Sequence, residues 1–578
     1  MSSSAVSITL QKKKKLNQAD NCRAIGPSSS YAPAQTRSGD CEAAPFFRIP
    51  PFPGSRIDRF AQKQSSAASA SCTVEEVRQL KVGGTFWGAQ PKLPSDFVLV
   101  RSARSLMSAE QVSGGRKIVF WDQQGEGAEI APGADSMESG DCDPWHMLSS
   151  ATALVTEPED ELRLVAALLE VPCHIRDPGT GELELDRLDA AGWLTKELSG
   201  KTFENPFTGQ SMTGTDLVRL CGFWRQLIDS NREVGAGLGF AFWKQDHVAP
   251  LLWGGSGPVR FLRNAAGVEP GTLVAVWRAK AAPDAIEELE RNGNKLIEVE
   301  DGFLRSRGLG ADCIPPLSIT VDRLGAYFDP AQSSELEDLL QTGVFEPQLL
   351  ARARELRNRI VAAGLGKYEQ GKVSVARPAG DRRHVLVPGQ VEDDRAVQTG
   401  GCGLASNLEL LKRARAHAPD AYILYKPHPD VVAGHRRGAV PDRDCLQYAD
   451  EIVGELSIGS LIDMVDEVHV NTSLAGFEAL LRGKRVTTFG VPFYAGWGLT
   501  RDVGPVPSRR SATRTIDELV AVALLLYPRY LDPVMGLPCP AEVVVARLCE
   551  DEERDPGMLV GMRRLQGKLM RRLRSLVQ

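Results

Sequence analysis

Residues 466–500 read DEVHVNTSLAGFEALLRGKRVTTFGVPFYAGWGLT, and this stretch decides the fold. The short valine-rich run Glu467–Val470 predicts a buried strand. The hydroxyl groups of Thr472 and Ser473 can cap a helix, which is predicted from Leu474 to Arg482 and ends before a glycine. A second strand is predicted directly after that glycine. Strand, polar cap, helix and strand form half of a doubly wound α/β domain, in which ligands bind at the carboxyl ends of the strands and phosphate binds at helix N-termini.

A second polar cluster lies about forty residues upstream. The run Tyr422–Tyr425 predicts another strand, and Lys426, His428 and Pro429 follow it within the sequence KPHP. A Thr-Ser pair alone is more typical of a simple helix cap than of a binding site. A cation and an imidazole at one strand end, beside a helix N-terminus at another, favour an anion site instead.

Several separated motifs, in the same order, resemble the capsule-assembly retaining β-Kdo glycosyltransferases of the KpsC/LipA type. The resemblance covers roughly residues 196–530. It implies a GT-B-like pair of Rossmann-type domains, a CMP-activated 3-deoxy-manno-octulosonic acid (Kdo) donor, and transfer with retention of configuration. The motifs that carry it are VEDGFLRSRGLGAD at 299–312, PPLSITVD at 315–322, VLVPGQVEDD at 385–394, YKPHPDVVAGHR at 425–436, ADEIV at 449–453 and the stretch from Thr472 to Thr500.

Composition and pattern divide the chain into five predicted parts. The first part, residues 1–75, is rich in Ser, Ala, Pro and Gln, which predicts disorder. The last part, residues 536–578, carries leucines at helical spacing and has six basic residues within 558–578. That segment predicts a basic amphipathic helix, which could lie on an anionic membrane or pack on the protein. The predicted parts are a disordered leader at 1–75, a degenerate Rossmann-like region at 76–195, the N-terminal, acceptor-side half of the transferase at 196–375, the C-terminal CMP-sugar-binding half at 376–535, and a basic amphipathic tail at 536–578.

The region 76–195 repeats the pattern of the deciding stretch. Its string AALLEVPCHI corresponds to EALLRGKRVT, but Glu157-Pro158-Glu159 stands where the later copy has Asn471-Thr472-Ser473. Carboxylates at that place would repel a phosphate. Members of the resembled family often carry two transferase modules, whereas this chain has a single intact motif set, so a second transfer activity is in doubt.

Composition excludes several classes of function. The chain has 578 residues and a formal charge of −6, which gives no reason to expect nucleic-acid binding. Eleven scattered cysteines without a C-x-x-C pair indicate reduced thiols rather than disulfides or a zinc site. No apolar run reaches the roughly 18 residues of a spanning helix, and no apolar stretch follows KKKK at 12–15, so no secretory signal is predicted. We expect a cytoplasmic protein, peripheral on the inner face of the cytoplasmic membrane if the tail binds lipid, with capsule assembly proteins as further partners.

Two acidic segments are candidates for catalysis. Glu300 and Asp301 end a predicted strand before a glycine, which could be an active-site edge or a solvated acidic turn. Retention requires two inversions or a front-face route, and two inversions need a carboxylate nucleophile and an acid/base group. The resemblance implies that the loop Gln390–Asp394 gives the nucleophile, and we choose Asp394 over Asp393, with Glu300 or Asp301 as its partner. In the family this loop usually continues as A-S-I, whereas here it continues as Arg-Ala-Val.

The donor site is predicted to need no metal and no cofactor. A CMP-linked sugar carries one phosphate, which Lys426, His428 and helix N–H groups can neutralise, and no metal-ligand cluster stands out in the sequence. Glu478 is predicted to accept hydrogen bonds from the ribose or cytosine, and Arg305 and Arg307 to meet the Kdo carboxylate. The predicted sugar-nucleotide residues are Gln390, Lys426, His428, Pro429, Thr472, Ser473, Glu478, Arg305 and Arg307.

Two other functions remain open at this point. One is a non-catalytic sugar-nucleotide-binding or polysaccharide assembly and export protein, which would bind CMP without turnover. The other is a hydrolase of Kdo linkages, which would not depend on CMP. The expected partners of the transferase are a CMP-sugar donor and a glycolipid or oligosaccharide acceptor, and acceptor-dependent release of CMP distinguishes the three.

Overall fold

A computed structural model provides the structure of the chain. The residues that it describes are 45–64, 74–123, 133–198, 201–304, 314–365, 377–378, 380–434, 436–454 and 456–549.

The N-terminal region contains a six-stranded sheet with the strand order β4-β3-β2-β5-β6-β7. Its strands are parallel except for β7, which pairs antiparallel with β6. This confirms a Rossmann-like region before the transferase halves. The elements are β1 (Gln62–Gln64), α1 (Val74–Leu80), β2 (Phe97–Val100), α2 (Ala103–Ser113), β3 (Lys117–Asp122), β4 (Ser136–Ser139), α3 (Pro144–Ser149), β5 (Ala151–Thr156), α4 (Leu162–Leu168), β6 (Cys173–Arg176), β7 (Leu183–Leu185) and α5 (Ala190–Leu198).

The segment 45–64 differs from the predicted disordered leader at 1–75. Phe46 and Phe52 are buried in the main core, and the ring centroid of Phe52 lies 5.0 Å from that of Trp253. Each buried aromatic ring removes a large apolar area from water, which offsets the entropy of ordering the chain. A few phenylalanines within a polar composition therefore order this segment, and the prediction of disorder is wrong for residues 45–64.

The next part of the chain builds most of the sheet of the first half, which was predicted at 196–375. Helix α6 begins with a capping box, because the Thr213 hydroxyl accepts from the Asp216 N–H and the Asp216 carboxylate accepts from the Thr213 N–H. Gly343 and Pro347 separate two helices within residues 335–362. The elements are β8 (Lys201–Glu204), β9 (Ser211–Met212), α6 (Gly214–Asn231), β10 (Val234–Leu238), α7 (Phe242–Leu252), β11 (Phe261–Leu262), β12 (Leu273–Val276), α8 (Pro283–Arg291), β13 (Lys295–Asp301), β14 (Ser318–Asp322), α9 (Glu335–Thr342) and α10 (Pro347–Ala362).

The second half contains a six-stranded parallel sheet with the order β17-β16-β15-β18-β19-β20. The predicted strand–helix–strand unit is confirmed as β18, α16 and β19, and Gly483 follows the helix with a φ of 70°. The elements are β15 (His384–Pro388), α11 (Arg395–Gly400), α12 (Asn407–His417), β16 (Tyr422–Lys426), α13 (Pro429–Val432), α14 (Asp442–Cys445), β17 (Glu451–Ile452), α15 (Ile458–Met464), β18 (Glu467–Val470), α16 (Leu474–Leu481), β19 (Arg485–Thr488), β20 (Arg501–Asp502) and α17 (Ile516–Val520).

After α17 the chain returns to the first half. A π-helical turn, Ala521–Leu526, leads into β21 (Pro528–Asp532), β22 (Leu537–Cys539) and α18 (Ala541–Cys549). Strand β21 pairs antiparallel with β14 and completes the sheet order β11-β10-β12-β13-β14-β21-β22. The predicted boundary between a second half at 376–535 and a tail at 536–578 is therefore wrong, since residues 528–549 belong to the first half. Residues 550–578, which include the basic segment, lie outside the described residues.

The two sheets give the expected GT-B-like pair of Rossmann-type domains. In each half, parallel strands point their carboxyl ends toward the other half, so that loops from both sheets meet. The aromatic loop after β19 contributes to the packing between the halves, because Arg510 donates to the carbonyl oxygens of Pro492 and Ala495 and bonds to Glu337 of α9. This packing holds the carboxyl ends of the strands at a common cleft.

Candidate active site

A cleft of about 1060 Å³ lies where the strand ends of the two halves meet. Loops after β10, β12 and β13 form one wall, and loops after β15, β16 and β18 form the other. This is the position at which open α/β sheets bind ligands. The cleft is lined by eleven of the predicted site residues, Glu300, Asp301, Gln390, Asp393, Asp394, Lys426, His428, Pro429, Thr472, Ser473 and Glu478.

Gln390 joins the two loops of the second half. Its side-chain Nε2 donates to Thr472 Oγ1 at 2.9 Å, and the Thr472 backbone N–H donates to its Oε1 at 3.0 Å. The backbone of Gln390 is fixed in turn by Asn407, whose amide accepts from the Gln390 N–H and donates to its carbonyl oxygen, both at 2.8 Å. Gln390 therefore fixes the acidic loop relative to the N-terminus of α16, a positioning task that the sequence alone did not indicate.

The N-terminus of α16 has a fixed backbone geometry and lines the cleft. The Ser473 hydroxyl accepts from the Ala475 N–H at 3.2 Å, and Tyr494 donates its hydroxyl to the Ser473 carbonyl oxygen at 2.5 Å. Backbone N–H groups and the helix dipole favour negative charge at this point. Glu478 is buried in the second turn of the same helix and lines the cleft.

Lys426 and His428 add positive character at the end of β16. Lys426 is buried, and its Nζ donates to the Gly454 carbonyl oxygen at 3.4 Å. The His428 Nδ1 accepts from the Asp430 N–H at 3.1 Å, so the imidazole caps the short helix α13. Because Nδ1 accepts, the neutral ring carries its proton on Nε2, which can donate to a ligand.

The three acids of the loop after β15 have different surroundings. Glu392 accepts from the Asn407 N–H at 2.9 Å, and Asp393 pairs with Arg436 at 3.3 Å. Asp394 is exposed toward the cleft and caps α11, accepting from the Ala396 N–H at 3.1 Å. The bond to the helix N–H fixes the direction of the Asp394 side chain.

The facing wall carries a row of carboxylates at the end of β13. Asp301 pairs with Lys244 at 3.1 Å, and the Lys244 ammonium lies 3.4 Å from the ring centroid of Trp277. Glu300 pairs with Arg395 of the other half at 2.7 Å. Burial raises the pKa of Glu300 to about 7, although Arg395 acts in the opposite direction. A carboxyl group that titrates near neutral pH suits acid/base chemistry.

Three residues of this wall and its contacts were missed by the sequence reasoning. Lys244 and Trp243 occur in the string AFWK, in which a lone cation among aromatic residues was the available signal. Arg395 begins the departure from the family pattern, and its contact with Glu300 of the other half was not predicted. Conversely, the predicted Arg305 and Arg307 lie outside the described residues.

In the sheet of the N-terminal region, the described polar side chains at the point where the strand order reverses, between β2 and β5, pair with one another. Arg101 there pairs with Asp160 at 3.0 Å, donates to Gln123 at 2.6 Å, and lies over the ring of Trp121. Ser105 donates to Glu157 at 3.2 Å. The polar groups at this strand edge are therefore engaged in ion pairs and hydrogen bonds with other side chains of the same protein.

The described part of the chain contains neither a metal-binding cluster nor a membrane-spanning helix. Within it, no group of three or more His, Cys, Asp or Glu side chains is arranged to hold a metal ion. No helix in the same ranges combines the length and the apolar character needed to cross a membrane.

Part of the chain is similar to known proteins. A family described as capsule polysaccharide biosynthesis protein matches residues 272–530. The capsule polysaccharide modification protein LipA of Neisseria meningitidis serogroup A is 37% identical over 335 residues, which cover 57% of this chain and 47% of LipA. The lipopolysaccharide-processing protein LpsZ of Rhizobium meliloti is 45% identical over 265 residues, 45% of this chain and 60% of LpsZ. The chain thus spans about half the length of LipA and three fifths that of LpsZ.

Solved structures include two similar chains. The β-Kdo 2,7 transferase of KpsC from Thermosulfurimonas dismutans is 35% identical, covers 55% of this chain and 99% of its own, and has a TM-score of 0.45. The β-Kdo 2,4 transferase of the same KpsC is 33% identical, covers 55% of this chain and 98% of its own, and has a TM-score of 0.48.

Proposed function

We propose that the chain, whose residues 272–530 match a family described as capsule polysaccharide biosynthesis protein, is a retaining glycosyltransferase that moves Kdo from CMP-Kdo to a lipid-linked or glycan acceptor. The two KpsC chains that are 33–35% identical in sequence are β-Kdo transferases, and we infer the same sugar class here. The observation that carries the proposal is the arrangement of the cleft, in which an anion site on one half faces a row of carboxylates on the other.

The donor phosphate is assigned to the second half. Lys426, the Nε2–H of His428 and the N–H groups at the start of α16 converge on the same wall. Donors fixed in place before the reaction stabilise the negative charge that develops on the departing CMP. These groups can stabilise the charge of a single phosphate, so we propose transfer without a metal ion or a cofactor.

The chemical steps are assigned to Asp394 and Glu300. The ionised Asp394 carboxylate attacks the anomeric carbon, and the bond to the CMP oxygen breaks with its electron pair, so that CMP leaves. Glu300 then takes the proton of an acceptor hydroxyl, whose oxygen attacks the anomeric carbon and releases Asp394. Two inversions give net retention. Asp301 is held by Lys244, and Glu478 is placed to contact the nucleoside.

A lipid-linked acceptor would place the reaction at the inner face of the cytoplasmic membrane. The basic segment 558–578 remains the predicted contact with anionic lipid, and it lies outside the described residues. Capsule assembly proteins remain proposed partners.

The test of the function is acceptor-dependent release of CMP. The protein is incubated with CMP-Kdo alone and with CMP-Kdo plus a Kdo-accepting glycolipid, and free CMP and product are measured. A transferase releases CMP at a rate that rises with the acceptor. Binding of CMP without turnover would point to a non-catalytic protein, and release of Kdo from the glycolipid without CMP would point to a hydrolase.

The nucleophile is tested by Asp394→Asn. This variant should retain CMP affinity and lose turnover by on the order of 10³-fold or more, because the covalent step requires the carboxylate. Wild-type protein given donor without acceptor should gain the mass of one Kdo unit on the peptide that contains Val391–Val397, and Asp394→Asn should not.

The matched control is Asp393→Asn, on the same loop but paired with Arg436. It should still form the adduct. An adduct on Glu300 or Asp301 would reverse the proposed roles, and an active Asp394→Asn without any adduct in wild type would favour a front-face mechanism.

A further inference from the structure

Arg395 crosses the cleft directly beside the proposed nucleophile. It is the first residue of α11 and follows Asp394, the cap of that helix. Its Nη1 lies 2.7 Å from Glu300 Oε1 and 3.3 Å from Glu298 Oε2, both on β13 of the opposite half. Its guanidinium also lies 5.1 Å from the ring centroid of Phe328. One side chain of the nucleophile's loop therefore contacts three residues of the facing wall.

The three carboxylates at the end of β13 each have a cation, and these cations differ in origin. Glu298 pairs with Arg278, and Asp301 pairs with Lys244, both from the first half. Glu300 pairs with Arg395, which the second half supplies. Glu298 also lies 3.3 Å from Arg395, but among the described ion pairs of these carboxylates only Glu300 has no cation from its own half.

We propose that Arg395 is a positioning residue that holds Glu300 across the cleft, beside Asp394, in the geometry required for transfer. This inference rests on the proposed function, since it takes Glu300 as the group that activates the acceptor. Arg395 fixes one carboxylate oxygen of Glu300, and the side chain of Glu300 is only 16% exposed. A fixed carboxylate is already oriented for the acceptor hydroxyl and does not have to sample other rotamers before it reacts.

The charged groups around Glu300 determine how removal of Arg395 would change the protonation of Glu300. Arg395 and Lys244 favour the ionised carboxylate, whereas burial, Asp301 and Glu298 favour the protonated form. Without Arg395, Glu298 keeps Arg278 and Asp301 keeps Lys244, but Glu300 loses its direct ion pair. The protonated form of Glu300 should then persist to higher pH.

The pairing also makes Glu300 sensitive to separation of the two halves. In an open cleft Arg395 would move away with α11, and Glu300 would lose the contact that fixes its side chain. Closure of the cleft on the donor would restore its orientation. Base catalysis would thus be available when the halves are together, which limits loss of the Kdo unit to water.

The test compares Arg395→Ala with Arg395→Lys, and Arg413→Ala is the control because Arg413 pairs with Glu409 on the surface helix α12. The titration of Glu300 is followed by the carboxyl-carbon NMR signal of glutamate-labelled protein without donor, assigned through Glu300→Gln. An opposite charge at this distance lowers a carboxyl pKa by about 1–3 units. In Arg395→Ala the midpoint should therefore rise by about one pH unit or more, in Arg395→Lys by less, and in Arg413→Ala not at all.

The transfer rate provides the second readout. In Arg395→Ala the acid limb of the kcat profile should move to higher pH, with about a tenfold loss at pH 7 that is recovered at alkaline pH, while CMP affinity stays unchanged. An unchanged Glu300 midpoint in Arg395→Ala, or a rate lost equally at every pH, would overturn the inference. If wild type releases no CMP in response to acceptor, the proposed function fails instead, and the NMR titration still decides whether Arg395 controls Glu300.

Discussion

Glu300 is the residue at which the protein's stability and its chemistry compete. Burial between the two halves raises its pKa to about 7, from an ordinary value of 4.5. In the range between these values the folded protein holds a proton that the unfolded chain has released. Unfolding therefore releases a proton, and the contribution of Glu300 to stability is complete below pH 4.5 and is lost as the pH rises through 7. The ionised form of Glu300, which acts as a base at neutral pH, therefore lowers the free energy of unfolding.

This cost can be measured by urea unfolding at pH 5 and pH 8. Between these two values wild type should lose about 2–3 kcal/mol of unfolding free energy that Glu300→Gln does not lose, because glutamine has no proton to release. Glu409→Gln, a substitution on the exposed face of α12, should follow wild type. Equal pH dependence of wild type and Glu300→Gln would contradict the raised pKa.

At the scale of elements, the return of β21 to the first half determines where the protein can be cut. Strand β21 pairs with β14, and the Trp224 indole N–H of α6 donates to the Pro538 carbonyl oxygen at 2.8 Å. Arg547 of α18 pairs with the buried Asp532 at 3.0 Å. Residues 528–549 therefore form part of the core of a domain whose other strands lie some two hundred residues earlier.

A chain that ends after Tyr527 should accordingly lose the cooperative unfolding transition of the first half. It leaves the edge of β14 and the apolar surface under α18 in water. The matched control ends after Cys549 and keeps every described residue of the return. Calorimetry of both chains checks the expectation, and a chain ending at Tyr527 with the melting temperature of the control would refute it.

The elements that sequence reasoning predicted correctly are those with strong local signals. The strand Glu467–Val470, the cap at Ser473 and the helix after it follow from patterns within twenty residues. The pairing of β21 with β14 could not be predicted, since strand pairing is set by contacts far apart in the sequence. The candidate site divides in the same way. The motifs and the family resemblance indicated Asp394 and either Glu300 or Asp301, but the contact of Glu300 with Arg395 depends on how the two halves pack.

At the scale of the whole molecule, the two Rossmann-like regions differ in what occupies their strand ends. In the N-terminal sheet the pair of Arg101 with Asp160 lies at the edge where a nucleotide would bind, whereas the sheet of the second half leaves an open cleft there. A nucleotide phosphate would have to break that pair and approach a carboxylate, which is unfavourable. The chain should therefore bind one nucleotide.

Titration calorimetry with CMP should give one site per chain. Removal of a charge-assisted hydrogen bond costs about 1–3 kcal/mol, so His428→Ala should weaken binding by roughly 5- to 150-fold. Arg101→Ala is the matched control in the N-terminal sheet and should leave the affinity unchanged. A stoichiometry of two, or an affinity that depends on Arg101, would show that the N-terminal sheet binds nucleotide as well.

The distance along the chain between β14 and β21 also has a consequence in time. Ribosomes add about 5–20 residues per second, so the roughly two hundred residues from Asp322 to Pro528 take on the order of 10–40 s to synthesise. Throughout this interval the nascent first half has a bare strand edge, which can pair with the same edge on a neighbouring nascent chain of a polysome. Slower translation of the second half lengthens the time for which this strand edge is exposed. The fraction of chains that reach the native state should therefore depend on codon choice in the part of the gene that encodes the second half, although that part encodes none of the affected sheet.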